Sequence, residues 1–209
     1  MALTKVLTGG IALDAVDNTI LKLDDDYALT GDNSGVGGME LLLSPSAATG
    51  VAAIDISSTY INSTYDNYYL VGYFEGDADT RYLQARVFVG GTVQTGDIYG
   101  GGSANIDGAD YENNNTSNHL FLASSGAMGG ADGEGTNVSI VFSNANSTQA
   151  PFSCTGISTL HNNSAAHSGS TFGGSLIPAN RANVVNGIRL KMHSGNIGYG
   201  IFKLYGMKN

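Results

Sequence analysis

The stretch Ile188-Arg-Leu-Lys-Met-His193 decides the fold, because its apolar and basic side chains alternate without a break. Successive side chains of a β-strand point to opposite faces of a sheet, so a period of two separates the three apolar residues from the others. The pattern therefore predicts a strand with Ile188, Leu190 and Met192 in a core and the basic side chains on the opposite face.

A second stretch, Tyr68-Tyr-Leu-Val-Gly-Tyr-Phe74, is apolar on both faces. It predicts a central strand that is covered on both sides or lies at a subunit contact. Including these two, the sequence contains nine candidate strand runs, separated by Gly, Asn and Asp clusters: Met39–Leu43, Val51–Ile56, Tyr68–Glu75, Tyr82–Val89, His119–Ala123, Val138–Phe142, Phe152–Ile157, Val184–Met192 and Gly200–Tyr205. No amphipathic helix pattern follows residue 38, so crossover helices are not expected.

Composition supports the same fold class. The 209 residues include 30 glycines, and only 13% of them are charged, against about 25% in an average domain. These values exclude a coiled coil, and 42% hydrophobic residues argue against a disordered chain. Strand runs joined by turn-forming residues predict an all-β protein, an antiparallel jelly-roll-like β-sandwich.

Two regions are expected along the chain. Residues 1–38 read as an N-terminal attachment arm, extended or short-helical, that ends in a Gly-rich linker, and residues 39–209 read as the β-sandwich domain. The arm is too short to bury its own apolar residues, so we expect a neighbouring subunit or virion protein to bind them: Ile11, Leu13, Val16, Ile20, Leu21 and Leu23. Three long loops are expected at 99–118, 124–136 and 160–174.

Charge excludes several partners. The net charge of −9 disfavours nucleic acid and anionic lipid surfaces, which both select basic proteins. No apolar run is long enough to insert into a membrane, and no secretory signal is recognisable, which predicts assembly in a cytoplasm. All the acidic residues precede residue 135, and five basic residues follow it. This asymmetry fits neutralisation within one chain or complementary patches between copies.

Motifs for chemistry are few, so we expect no enzyme, no catalytic residue, no metal and no cofactor. The single cysteine, Cys154, reads as a small buried residue in a strand rather than a nucleophile. Asp77 and Asp79, like the acidic residues of 107–112, could ligate calcium or form a hydrolase pair, but turns favour the same residues.

Long polar loops with tyrosines suit recognition of polar ligands such as sugars. The candidate receptor-facing residues lie in the first and third predicted loops and are Tyr99, Tyr111, Asn113, Asn114, His161 and His167. Ordinary solvated turns explain the same composition.

Several segments resemble tail-fibre-like and head-decoration virion proteins of marine tailed phages (cyanophage or pelagiphage type). At the N-terminus these are Met1-Ala-Leu-Thr-Lys-Val6 and Ala15-Val-Asp-Asn18. In the middle they are Tyr65-Asp-Asn-Tyr68 and Leu83-Gln-Ala-Arg86, and the closing hairpin is Ser194-Gly-Asn-Ile-Gly-Tyr-Gly-Ile-Phe-Lys-Leu-Tyr-Gly-Met-Lys208. The resemblance implies a jelly-roll-like, homotrimeric structural protein with no catalytic residues.

Three functions therefore remain open. The first is a non-enzymatic virion protein, either a short tail fibre held by its N-terminal arm, with loops that contact a host receptor, or a head decoration protein. The second is a lectin-type module that binds a host cell-surface glycan. The third is a small polysaccharide hydrolase, which would need two carboxylates in one cleft.

Overall fold

The computed structural model describes residues 38–105, 111–123, 128–161 and 167–207, the side chains of 111–115 lying outside that description. The expected attachment arm, with Ile11, Leu13, Val16, Ile20, Leu21 and Leu23, lies outside the described residues. The described residues form fourteen strands and one short 3₁₀ helix at Pro178–Asn180. In chain order the strands are β1 Met39–Leu43, β2 Ala48–Val51, β3 Ile54–Ile56, β4 Asn67–Gly76, β5 Leu83–Val89, β6 Thr92–Val93, β7 Tyr99–Asn105, β8 Tyr111–Ser117, β9 Leu120–Phe121, β10 Thr136–Ser143, β11 Ser153–His161, β12 His167–Leu176, β13 Val185–Met192 and β14 Ile197–Met207.

Two antiparallel sheets pack face to face. The large sheet has the order β1-β14-β4-β10-β11-β12-β7-β8, with β2 also paired to β14. The small sheet has the order β3-β13-β5-β6, with β9 also paired to β5. Strand β9 of the small sheet contacts β12 and β7 of the large sheet, and the chain crosses repeatedly from one sheet to the other, as in a jelly roll. The predicted all-β, antiparallel, jelly-roll-like sandwich is confirmed.

The core lies between the inner faces of the two sheets. Ile188, Leu190 and Met192 on β13 are completely buried, which confirms the core face predicted from their alternation. Strand β4 is central in the large sheet, as predicted, between β14 and β10. Its Phe74 ring stacks on Phe202 of β14, with centroids 6.2 Å apart. These side chains form one continuous hydrophobic cluster that joins the two sheets.

Two of the three predicted loops are largely strands. Residues 99–118 form most of the β7–β8 hairpin, and β12 occupies most of 160–174. These three strands are rich in Gly, Ser or Asn, residues of low β-propensity, so the neighbouring strands rather than the local sequence determine their conformation. A Cβ atom at Gly101 would lie 2.4 Å from the carbonyl oxygen of Gly173 on β12, so the glycines permit a close approach of the two backbones.

A tight turn joins β5 to β6 at Gly90 and Gly91. Both residues have positive φ angles, +58° and +77°, and both are exposed. Two successive left-handed residues form the turn that matches the right-handed twist of a two-stranded hairpin, and glycine adopts that conformation without strain.

The described chain begins and ends at one edge of the large sheet. Strand β1 pairs with the last strand, β14, and Met39 lies directly opposite Met207. The first and last strands of the sandwich are therefore neighbours.

Candidate interaction surface

The outer face of the large sheet carries a broad apolar and aromatic surface, which we call the tyrosine face. Strand alternation and register place its side chains on one side of five neighbouring strands. They are Met39 and Leu41 on β1, Tyr199, Ile201, Lys203 and Tyr205 on β14, Tyr69, Val71, Tyr73 and Glu75 on β4, Asn137, Ser139 and Val141 on β10, and Thr155, Ile157 and Thr159 on β11.

Charged groups are scarce on this face. Lys203 and Glu75 are its charged side chains, although the outer face of an antiparallel sheet in water is normally polar. Five large hydrophobic residues of the described chain are well exposed, and four of them lie here. They are Met39 (57% exposed), Leu41 (51%), Ile157 (57%) and Ile201 (44%). An exposed apolar patch of this size, with few charges, is typical of a protein contact surface.

Tyrosine pairs give the face its shape. The rings of Tyr69 and Tyr205 lie 6.3 Å apart across β4 and β14, and those of Tyr73 and Tyr199 lie at the same distance. A shallow depression of about 500 Å³ lies between the two pairs, and Ile201 is one of the residues that line it.

Hydrogen bonds hold these phenols against the sheet. The Tyr69 hydroxyl lies 2.9 Å from Ser139 Oγ, and the Tyr73 hydroxyl donates to Glu75 Oε1 at 2.5 Å. Burial and the neighbouring Glu75 carboxylate raise the pKa of Tyr73, so its phenol remains protonated at neutral pH. The tyrosine face is therefore a preformed and largely uncharged surface.

The prediction that Tyr99 faces a receptor is wrong. Tyr99 is completely buried on β7, where its hydroxyl donates to the Gln94 carbonyl and accepts from the Val87 amide, both at 3.0 Å. Burial raises the pKa of Tyr99 to about 12. A phenol held in this way anchors a loop to the core and cannot contact a receptor.

The remaining candidates lie in or beside strands rather than within long loops. Tyr111, Asn113 and Asn114 belong to β8, and their backbones pair with β7. Their side chains lie outside the described residues. His161 and His167 are exposed and face each other as the last pair of the β11–β12 ladder, with ring centroids 4.1 Å apart. The structure thus brings the two histidines together at one end of the large sheet.

Two of the acidic residues considered for calcium or hydrolysis, Asp77 and Asp79, have structural partners, whereas the acidic side chains of 107–112 lie outside the described residues. Asp77 accepts a hydrogen bond from the Asn196 amide at 2.9 Å and lies 3.5 Å from the Arg81 guanidinium. Asp79 accepts from the Gly130 amide at 2.7 Å. The Asn196 amide, followed by Arg81, lowers the pKa of Asp77, whereas a general acid needs a raised one. The two aspartates hold loops in place.

Cys154 is buried on β11, as the sequence predicts, and burial raises the pKa of its thiol to about 12. Within the described ranges, no group of three or more His, Cys, Asp or Glu side chains is arranged to hold a metal ion. The same ranges contain no helix with the length and apolar character of a membrane span.

Comparisons with known proteins identify no relative, so the fold and the tyrosine face are the basis for proposing a function. No protein-family model matches the sequence, and neither a curated protein nor a solved structure shows significant similarity to it. Fold and surface together define an antiparallel β-sandwich domain with one sheet face suited to protein contact.

Proposed function

We propose that the protein is a non-enzymatic structural protein, displayed on the surface of a tailed-phage virion and assembled with copies of itself. The observation that carries the proposal is the tyrosine face. The tyrosine face is five strands wide, from β1 to β11 in the order of the large sheet, and spans about 24 Å at a strand spacing of about 4.8 Å. The outward residues from Tyr69 to Glu75 add about 20 Å along the strands.

The resulting flat area of roughly 500 Å² is about two thirds of the 800 Å² or so that each partner buries in a stable complex. In a cyclic homotrimer, three copies of this face can meet around the threefold axis, so the partners proposed here are further copies of the chain. Self-association through this face also removes exposed leucine and isoleucine side chains from water.

The virion role rests on the sequence segments that resemble phage tail-fibre-like proteins, and on the low charge and jelly-roll form of the domain. We propose a homotrimeric short tail fibre whose N-terminal arm attaches to other virion proteins. A head decoration protein is the alternative, because the same domain suits either place. Assembly takes place in the host cytoplasm.

Gold-labelled antibody imaging of purified virions tests this proposal. Label on the tail supports the fibre, and label over the head supports the decoration protein. Virions that carry no label, while the antibody detects the free protein in the same lysate, would refute both. A non-binding antibody of the same class is the control.

A glycan-binding function is the second candidate, and the depression on the tyrosine face favours it. Tyr73, Tyr205 and Asn137 at this depression combine aromatic rings with a hydrogen-bonding amide, as sugar sites do. On a broad glycan array we expect a host glycan to bind, and Tyr205→Ala to weaken that signal about tenfold. A flat response on the array would exclude this function.

A further inference from the structure

The outer face of the small sheet carries a cluster of basic side chains, although the protein as a whole is acidic. We call this surface the basic face and define it by Arg86 on β5 and by Arg189 and Lys191 on β13. Three of the seven Lys and Arg residues that follow residue 38 thus lie on one face. Arg86 and Arg189 lie directly opposite each other in the antiparallel register. Like charges placed directly opposite destabilise a sheet, and an anion bound between them relieves that repulsion.

One carboxylate on the small sheet compensates only part of this charge. Asp55 on β3 forms a bidentate ion pair with Arg189, with both nitrogen–oxygen distances 2.6 Å. Among the residues whose side chains are described, no carboxylate forms an ion pair with Arg86 or Lys191. Arg86 Nε donates to the Asn118 carbonyl at 3.0 Å, which uses one of the five N–H donors of a guanidinium. Lys191 Nζ donates to the backbone carbonyls of the two residues that follow it.

The pKa values of three neighbouring groups reflect the excess of positive charge. Burial lowers the pKa of Lys191, and Arg86 and Arg189 lower it further. Burial, followed by Arg86 and Lys191, lowers the pKa of His119 to about 4. Burial and neighbouring cations also lower the pKa of His193. The basic face thus disfavours an added proton, and the same positive potential favours a bound anion.

A depression beside these cations has the lining of a site for a small polar ligand. It has a volume of about 260 Å³ and is lined by Asp55, Ser57, Ser58, Phe88, Gly91 and Asn186. Phe88 follows Arg86 by two residues on β5, so the two side chains share a face about 7 Å apart. The guanidinium carbon of Arg189 lies 5.4 Å from the centre of the Phe88 ring. An aromatic ring, two hydroxyls and an amide next to cations suit a sugar that carries an acidic group.

We propose that the basic face binds an acidic polysaccharide, with one sugar ring in the depression beside Phe88 and a sulfate or carboxylate group on Arg86 and Lys191. An acidic protein segment would pair with the cations without using the depression, so the sugar is the ligand class that fits both features. The net charge of −9 does not prevent this binding, because physiological salt screens charges that lie more than about 8 Å away. The proposal depends neither on the virion assignment nor on the tyrosine face, which belongs to the other sheet.

Binding of the full chain to immobilised heparin, measured by biolayer interferometry in 0.15 M salt, tests the proposal. Heparin is the probe because it carries both sulfate and carboxylate groups. We expect Arg86→Gln combined with Lys191→Gln to weaken binding about tenfold, since each charge pair contributes a few-fold. The matched control, Arg181→Gln with Lys203→Gln, removes the same charge outside the basic face and should leave binding within about twofold of the wild type. Equal weakening by the two double variants, each shown to unfold cooperatively, would overturn the proposal.

A panel of polymers identifies the group that is recognised. Dextran sulfate and polygalacturonate distinguish sulfate from carboxylate, and tighter binding of either one supports the proposal and names the acidic group. Binding to none of the acidic polysaccharides, or equal binding to unsubstituted dextran, would overturn it. Poly-glutamate that binds as tightly as heparin would point to an acidic protein partner instead and would also overturn it. In 1 M salt, where the Debye length falls to about 3 Å, binding to heparin should decrease several-fold.

Substitutions of the exposed Ser58 test the depression separately from the cations. Ser58→Phe fills the depression and should weaken heparin binding about tenfold. Ser58→Ala leaves the space open and removes one hydroxyl, so about a twofold effect is expected. Equal effects of the two variants would contradict a sugar ring in this place. Heparin binding that Tyr205→Ala abolishes and the Arg86 and Lys191 substitutions leave intact would belong to the tyrosine face and overturn the proposal.

Discussion

Replacing Ile201 by aspartate is the sharpest test of the tyrosine face. Ile201 lies at the centre of this face and is 44% exposed in the single subunit. Complete burial of an isoleucine contributes about 1.5–3 kcal/mol, so covering the remaining fraction contributes about 1 kcal/mol. An unpaired carboxylate in a dry contact costs at least about 2 kcal/mol more. The total of about 3 kcal/mol weakens association more than 100-fold.

The substitution should leave the subunit folded, because Ile201 already contacts water. We expect its free energy of unfolding to change by about 1 kcal/mol or less. Val184→Asp is the matched control, since Val184 is also a β-branched residue, is 37% exposed and precedes β13 of the other sheet. It should change neither the fold nor the association.

Size-exclusion chromatography with light scattering, at equal micromolar concentrations, measures the outcome. The wild type and Val184→Asp are expected at about three times the chain mass of 21.5 kDa, and Ile201→Asp at the chain mass itself. Circular dichroism is expected to show that all three proteins remain β-rich. A monomeric wild type, an oligomeric Ile201→Asp variant, or dissociation by both substitutions would each refute the reasoning.

Three further predictions concern the sandwich itself. Gly101→Val should destabilise it by about 1–3 kcal/mol in urea titration, because the added carbon meets the Gly173 carbonyl; unchanged stability would contradict the close approach of β7 and β12. The thiol of Cys154 should be inert to a disulfide reagent at pH 8 in the native protein and react in urea, since burial raises its pKa to about 12; rapid native reaction would count against that burial. In the folded protein, burial lowers the pKa of His119 to about 4, whereas the unfolded value is near 6.5, so between these pH values the unfolded state binds more protons than the folded state. The free energy of unfolding should therefore fall as the pH drops from about 6.5 to about 4. His119→Gln should reduce this dependence on pH.

The sequence predicts strands best where burial and alternation coincide. In β13, strict alternation specifies both the strand and its buried face, and in β4 a run that is apolar on both faces specifies a central position. Strands β7, β8 and β12 carry no such signal, because their Gly, Ser and Asn residues also favour turns. Pairing with neighbouring strands determines these segments, and a single sequence does not show that pairing.

The sequence predicts only part of the tyrosine face. The outward residues of β4 already suggested a subunit contact, but Ile201 and Ile157 join them only through the register of β14, β10 and β11. Tyr99 illustrates the opposite error. Beside a run of glycines it resembles an exposed loop residue, yet β7 turns it into the core, where two backbone partners satisfy its hydroxyl.

The pairing of Met39 with Met207 has a practical consequence for protein engineering. When the two ends of a domain lie side by side, a short peptide can join them, and the chain can be cut elsewhere without changing the order of its strands. The exposed Gly90–Gly91 turn is a suitable place for the new ends. Such a circular permutant would carry a fused peptide at the β5–β6 turn of the small sheet, whereas the face through which we expect the copies to meet belongs to the large sheet.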